Sequence, residues 1–134
     1  MNIEIIDYGY KNLPKRQYDN DAGADVFVIK DFTLGPHETV RVPLGFGLRL
    51  PAGVMAFVAP RSGLSSKGIS CELAPIDASY TGEIHAIVVN NTDHKVEFFE
   101  NDRVGQLLLM PVIIPTLVEN MKTRGDNGFG STGK

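Results

Sequence analysis

The sequence predicts a single all-β domain, and two features of the chain support that prediction. Short segments alternate apolar and polar residues, as at 40–42 and 46–50, and a period of two is typical of half-buried strands. Clusters of Gly, Pro and Asn, such as 51–53 and 90–93, separate these segments. Many short strands joined by turns indicate a sandwich, a jelly roll or a barrel.

The predicted strands are short stretches rich in β-branched and aromatic residues. They cover residues 26–29, 40–42, 46–50, 54–59, 84–89, 96–99 and 107–114. No stretch shows sustained helical periodicity, and one short helix is predicted at 63–67, after Pro60. The expected fold class is therefore all-β with one short helix.

Composition limits the partners and the compartment. The chain has 134 residues, of which 43% are hydrophobic, and this suits one domain with its own core. The net charge is −3 and no basic run stands out, so nothing indicates binding to polymeric nucleic acid. The chain begins without the features of a signal peptide, and no segment approaches the length of a transmembrane helix, so we expect a soluble cytoplasmic protein with no membrane partner. Cys71, the only cysteine, is expected to be a packed side chain.

The Gly-rich C-terminal stretch, residues 124–134, differs from the rest of the chain. It combines the guanidinium of Arg124 and the hydroxyls of Ser131 and Thr132 with accessible backbone N–H groups, all of which suit phosphate. It also carries one large apolar side chain, Phe129. Most Gly-rich termini are simply frayed, so composition alone leaves an ordinary tail and a ligand-binding segment both open.

A second segment suited to phosphate covers residues 60–68. Arg61 can place two parallel hydrogen bonds on phosphate oxygens. Ser62 and Gly63 begin the predicted helix, whose free N–H groups favour an anion. The alternative is a capped helix beside a solvated arginine, and the spacing of a P-loop is absent.

In the segment of residues 76–83, an acidic residue directly follows a short apolar stretch. Asp77 in such a position can hold and deprotonate a water molecule. Tyr80 offers a flat face for a sugar or a base. The alternative is an Asx-type turn with a packed tyrosine.

Two further polar positions are candidates. Asp25 could bind Mg²⁺ through water, because Mg²⁺ keeps several of its waters and takes few protein carboxylates. A plain turn before a strand is the alternative there. Gln106 could hydrogen-bond a phosphate or its attacking water, whereas the neighbouring pair Asp102 and Arg103 is expected to be structural.

In order and spacing, these segments resemble the five motifs of the trimeric dUTPase family. The matching stretches are residues 22–26, 60–68, 76–83, 102–107 and 124–133. They span nearly the whole chain, and the second and fifth are the most specific. The resemblance implies a β-clip, jelly-roll-like domain over residues 1–123 and a C-terminal tail over residues 124–134 that orders over the active site. It also implies a homotrimer with active sites at the subunit interfaces.

The resemblance further implies hydrolysis of dUTP to dUMP and pyrophosphate with Mg²⁺, a reaction that limits uracil incorporation into DNA and supplies dUMP for dTMP synthesis. Asp77 would direct water at the α-phosphorus, and Asp25 would contact the metal through water. Phe129 would stack over uracil, and Tyr80 would pack under the deoxyribose. The other residues given contacts with the phosphates or the base are Arg61, Ser62, Gly63, Gln106, Arg124, Gly130, Ser131 and Thr132.

Members of this family recognise uracil through the backbone of a β-hairpin, here about residues 74–85, which leaves no room for a thymine methyl group. The implied contacts include Pro75, Ile76 and His85, the last through its main chain rather than its imidazole. Residues 70–75 form a stretch about two residues shorter than usual, without a Gly-Asn pair whose asparagine touches uracil. The entrance to the hairpin must therefore be built differently.

Two other functions remain open. A dCTP deaminase shares this fold, but it needs a glutamate in the strand after the hairpin. The corresponding residue is Ile87, which cannot transfer protons. A nucleotide-binding regulatory protein, as among some phage-type relatives, is the second alternative, although the chain has no obvious inserted segment.

Overall fold

Ten short strands and one helix make up the part of the chain that the computed structural model describes, residues 1–121. The expectation of an all-β fold with one short helix is confirmed. The elements are β1 Glu4–Asp7, β2 Ala24–Phe27, β3 Phe32–Leu34, β4 Thr39–Pro43, β5 Phe46–Arg49, β6 Val54–Ala59, α1 Ser62–Ser65, β7 Ile69–Cys71, β8 His85–Asn90, β9 Val96–Phe98 and β10 Arg103–Pro111.

The strands pair in four small antiparallel sheets. Two sheets have two strands, β1-β5 and β3-β9, and two have three strands, β2-β10-β6 and β4-β8-β7. β10 and β8 are the central strands of the two larger sheets. Each therefore aligns residues that are distant in sequence, and each carries a candidate functional residue, Gln106 on β10 and His85 on β8.

The predicted strands agree with the structure at their centres and differ at their ends. The strand predicted at 107–114 is β10, but it spans Arg103–Pro111, because β2 pairs with its first residues and the segment after Pro111 forms no strand within the described chain. The helix covers Ser62–Ser65 rather than 63–67. Strands β1, β3 and β7 are missing from the prediction.

The core lies between the sheets and is formed by alternate residues of the strands. On β8, Ala86 and Val88 are buried, whereas His85 and Ile87 lie on the other face and remain half-exposed. Cys71 is buried, and burial raises the pKa of its thiol to about 11, so the expectation of a packed side chain is confirmed. Among the described residues, no helix combines the length and apolar character that crossing a membrane requires.

Candidate functional site

The loop formed by residues 74–85 is held at both ends by different strands. Ile76 exchanges two backbone hydrogen bonds of 2.7 and 3.1 Å with Ala56 of β6. Ile84 donates its N–H to the carbonyl of Phe46 in β5, at 2.8 Å. Because its two ends pair with separate strands, this segment is a clamped loop, and the expected two-stranded hairpin does not form.

Inside this 74–85 loop, a turn begins at Asp77, whose carbonyl accepts the N–H of Tyr80 at 3.0 Å. The Tyr80 hydroxyl donates to the carbonyl of Glu83 at 2.6 Å, which fixes the ring against the loop. The carboxylate of Glu83 in turn accepts the N–H of Gly45 at 2.8 Å. Tyr80 is thus positioned by the loop's own backbone, and the loop is tied to the sheet below it.

The N-terminal sheet, β1-β5, supports the same loop from another side. The hydroxyl of Tyr8, just after β1, donates to the carbonyl of Thr81. Gly47 of β5 passes so close that a Cβ there would lie 2.8 Å from the carbonyl oxygen of Gly82. Only glycine allows this approach, so the loop rests directly on the backbone of β5.

A cavity of about 310 Å³ opens beside the 74–85 loop. It brings together five of the predicted residues, Pro75, Ile76, Asp77, Tyr80 and His85. It also adds residues that the sequence analysis did not select, among which Arg41 and Glu83 are charged. The alternation of residues 40–42 indicated only a strand, because nothing local shows that Arg41 lies across a sheet from Ile87.

A second group of predicted residues lies along β10. Gln106 is the cross-strand neighbour of both Asp25 in β2 and Ala59 in β6, so these three side chains share one face. The amide of Gln106 donates to the carbonyl of Pro60 at 3.0 Å. A Cβ on Gly23 would lie 2.2 Å from Oε1 of Gln106, so glycine is required where the chain passes this side chain.

Asp25 is held by a cation rather than left free. Arg103 donates to its Oδ2 at 3.3 Å, and the Asp25 side chain is only 19% exposed. A cavity of about 420 Å³ beside this pair is also lined by Lys15 and Arg16, which makes the surroundings strongly cationic. Asp102 accepts the N–H of Phe99 at 2.8 Å and closes a turn, which supports the structural role expected of the Asp102–Arg103 pair.

Arg61 follows β6 and is the N-cap residue of α1. A helix leaves its first N–H groups without acceptors of its own, so those of Ser62 and Gly63 are free to bind an acceptor outside the helix. The Arg61 side chain is half-buried and lines a cavity of about 330 Å³ together with Asp102 and Arg103. Arg61 therefore lies with the residues beside β10.

The structure thus divides the predicted residues into two groups. The loop group consists of the residues in the cavity beside the 74–85 loop, and the β10 group consists of the residues beside β10. Their members are Pro75, Ile76, Asp77, Tyr80 and His85 in the loop group, and Asp25, Arg61, Ser62, Gly63 and Gln106 in the β10 group. The cavity of the loop group shares no lining residue with the two cavities of the β10 group. β6 connects them, and the five residue-to-residue steps from Ala56, which pairs with Ile76, to Arg61 correspond to about 16 Å of extended chain. Arg124, Phe129, Gly130, Ser131 and Thr132 lie outside the described residues.

No described group of three or more His, Cys, Asp or Glu side chains is arranged to hold a metal ion. Asp25 is the single carboxylate of the β10 group that was predicted to contact a metal. Its pairing with Arg103 uses one of its two carboxylate oxygens.

The segment of residues 112–121 leaves apolar side chains uncovered. Ile113 and Leu117 are each 89% exposed, and Val118 is 81% exposed. A single chain gains nothing from placing these groups in water, because burial of apolar surface is what stabilises a fold. In a single chain this apolar segment therefore stays uncovered.

Comparison with known proteins gives one consistent family. The dUTPase family model matches residues 9–133. The chain is 42% identical over 142 residues to the deoxyuridine 5′-triphosphate nucleotidohydrolase of Leifsonia xyli, with 99% of this chain and 91% of that protein covered. It is 39% identical over 134 residues to the enzyme of the same name from Mycolicibacterium gilvum, with 90% and 87% covered.

Solved structures show the same fold. A point mutant of the dUTPase from phage phi11 of S. aureus has a TM-score of 0.84 at 22% identity, covering 92% of this chain and 99% of that one. That structure concerns the coordination of a structural Mg(II) ion. The dUTPase of Staphylococcus bacteriophage 80alpha with dUPNHPP has a TM-score of 0.83 at 24% identity, covering 99% of both chains.

Proposed function

Because this chain belongs to the dUTPase family and is a deoxyuridine 5′-triphosphate nucleotidohydrolase, we propose that Asp77 is its general base and that the cavity of the loop group holds deoxyuridine. The observation that carries this proposal is that the exposed carboxylate of Asp77 lies beside Tyr80 in one cavity. The loop that forms this cavity is anchored to β5, to β6 and to Tyr8 just after β1. A volume of about 310 Å³ is in the range of small-ligand sites. Pro75, Ile76 and His85 contribute to the contact with the base, and Tyr80 packs against the sugar.

In the proposed step, Asp77 accepts a proton from a water molecule while the water oxygen bonds to the α-phosphorus. The bond from the α-phosphorus to the bridging oxygen breaks, and the electron pair leaves with pyrophosphate, so dUMP and pyrophosphate are the products. The phosphates are held by Arg61, by the N–H groups of Ser62 and Gly63, and by the amide of Gln106. A guanidinium and backbone donors suit phosphate oxygens, which supports this assignment.

The residues of the β10 group fit a role for Mg²⁺. One carboxylate with one remaining oxygen is sufficient for contact through water, because Mg²⁺ keeps most of its waters and is held chiefly by the substrate's phosphates. Asp25 is therefore the proposed contact. When bound, the metal would neutralise charge on the triphosphate and restrict its geometry.

We propose a homotrimer in which each active site combines the loop group of one subunit with the β10 group of another. Two observations support it. The two groups open into different cavities of one chain, and the apolar segment of residues 112–121 needs a cover. Other copies of the chain supply both the missing half of the site and the cover.

The tail, residues 124–134, is proposed as a third component of the site, distinct from the domain of residues 1–123. Phe129 would cover the base, and Arg124, Gly130, Ser131 and Thr132 would bind the phosphates. A chain that ends at Thr123 should fold and assemble but lose most activity in a pyrophosphate-release assay. Full activity of that truncated chain would contradict the proposal.

The reaction would take place in the cytoplasm, or in the host cytoplasm for a viral chain, where it would limit uracil in DNA and supply dUMP.

The decisive experiment is pyrophosphate release from dUTP, dCTP, dTTP and UTP. We expect strong preference for dUTP, and an Asp77→Asn variant that binds dUTP but turns it over about 100- to 10,000-fold more slowly, because it lacks a base. Asp19→Asn, which changes an exposed aspartate outside both groups, should retain full activity. Equal turnover of dTTP would refute the specificity, and ammonia release from dCTP would indicate a deaminase instead.

A further inference from the structure

Arg41 occupies the cavity of the loop group without having been assigned a role there. It lies in β4, directly across from Ile87 of β8, so the two side chains project from the same outer face of the sheet. Both residues line the cavity that also contains Asp77 and Tyr80. A guanidinium is thus present where the base is proposed to bind.

Among the described residues, Arg41 forms no salt bridge and no side-chain hydrogen bond. Two other arginines of the chain are paired, Arg49 with Glu4 and Arg103 with Asp25. Arginine remains charged at any accessible pH, and its five N–H groups can only donate. Arg41 therefore offers the cavity a donor that no described acceptor uses.

The strand arrangement leaves Arg41 uncovered by the chain that precedes the loop. Glu72 donates its N–H to the carbonyl of Ile87, so the pairing of β7 with β8 continues to the point where the 74–85 loop begins. β4 pairs with the opposite edge of β8. The Arg41 side chain is exposed and lines the cavity.

The chemistry of the base decides what this donor selects. Uracil has a keto oxygen at C4 and can accept a hydrogen bond there, whereas cytosine has an amino group that only donates. A guanidinium facing the amino group would place two donors together with no hydrogen bond between them, which weakens binding of the amino base relative to the keto base. The other charged groups lining the cavity, Asp77 and Glu83, are carboxylates and would not provide this discrimination.

We propose that Arg41 is a specificity-determining residue that donates to the C4 keto oxygen of the pyrimidine and disfavours a 4-amino base. The proposal deepens the proposed function, since it rests on this cavity being the base site. It assigns the choice of keto over amino to a side chain of β4, in addition to the backbone of the 74–85 loop.

The test compares Arg41→Leu and Arg41→Lys with Arg49→Leu, which removes an exposed arginine outside the cavity. Dissociation constants for dUMP and dCMP are measured by calorimetry, and kcat/KM for dUTP and dCTP by pyrophosphate release. For Arg41→Leu we expect dUMP binding and dUTP kcat/KM to fall about 10- to 100-fold, with dCMP and dCTP unchanged or improved. Arg41→Lys should retain part of the preference, and Arg49→Leu should match the unmodified protein.

Equal losses for the uracil and cytosine ligands would overturn the proposal, because they would place Arg41 on the phosphate or on the fold. No change with either base would also overturn it. The binding of dUMP and dCMP needs no turnover. Failure of the Asp77 mechanism therefore leaves this result interpretable, and the two proposals can fail separately.

Discussion

The loop group and the β10 group are built in opposite ways. The 74–85 loop is positioned mainly by backbone hydrogen bonds and by close contact with Gly47, and its cavity presents a ring, a carboxylate and main-chain groups. The β10 group consists of charged and amide side chains on β2 and β10, together with Arg61 just after β6. The first suits recognition by shape and hydrogen-bond pattern, and the second suits binding of negative charge. The proposed function accordingly assigns the base and the phosphates to separate parts of the fold.

The largest expected effect comes from inactivating each group in a different subunit. Asp77→Asn and Arg61→Ala should each abolish most turnover when present in every subunit. If the two variants are unfolded together and refolded, random trimers should recover about one quarter of the activity, because one in four interfaces then joins two intact groups. Pyrophosphate release from dUTP measures the recovery.

The matched control for this mixing experiment is the double variant refolded with the unmodified chain. Here too about one quarter of interfaces is intact, since each intact group must again come from an unmodified subunit. If both groups of a site came from one subunit, the two single variants would recover nothing on mixing, and the control would retain half of the activity. That result would remove the subunit-sharing interpretation.

A smaller effect is expected from Gly23→Ala, which disturbs only the β10 group. The added Cβ would lie 2.2 Å from Oε1 of Gln106, so the amide must move and release the carbonyl of Pro60. We expect KM for dUTP to rise about tenfold, with dUMP affinity nearly unchanged because dUMP lacks the outer phosphates. Gly35→Ala, where the nearest atom belongs to the flexible Glu38 side chain at 3.3 Å, is the control. An equal loss of dUMP affinity would show that the two groups are not independent.

The smallest effect is expected from Tyr8→Phe, which disturbs only the loop group. It removes one hydrogen bond to the carbonyl of Thr81 while keeping the ring. We expect KM for dUTP and the dissociation constant of dUMP to rise together by about 2- to 10-fold, with kcat nearly constant. Tyr10→Phe changes a neighbouring exposed tyrosine and serves as the control. If Tyr8→Phe changed kcat without changing dUMP binding, the contact would act on the chemistry rather than on base positioning.

Strand positions and the five motifs were accessible from the sequence because they depend on local patterns. Alternation located β5 and β6, and the order of short motifs indicated the family that the comparisons confirm. Strands β1, β3 and β7 escaped although β2, β5 and β9 are equally short and were located, because three or four residues are too few for their pattern to be decisive. The end of β10 was misplaced because its apolar run continues past the last residue that has a pairing partner.

Contacts between distant segments could not be predicted in this way. Arg41 lies opposite Ile87 only because β4 and β8 pair, and Tyr8 reaches Thr81 only because β1 joins β5 beneath the loop. The motif resemblance implied active sites at subunit interfaces, but it did not show that Asp77 and Arg61 are the residues that one chain keeps apart. Their separation follows from the direction of β6, which contacts the 74–85 loop near its first residues and reaches Arg61 beyond its last.

The apolar segment of residues 112–121 also affects how readily a newly synthesised chain aggregates. In the proposed trimer other copies cover this segment. Before such assembly the segment can add to an open strand edge, so the interval before assembly is when the chain would be most prone to aggregate. That interval lengthens as the chain becomes scarcer, because association depends on concentration. Pro115 interrupts the segment and supplies no N–H for strand pairing. A proline at this position limits strand addition by the segment and leaves the apolar side chains available for the proposed subunit contact.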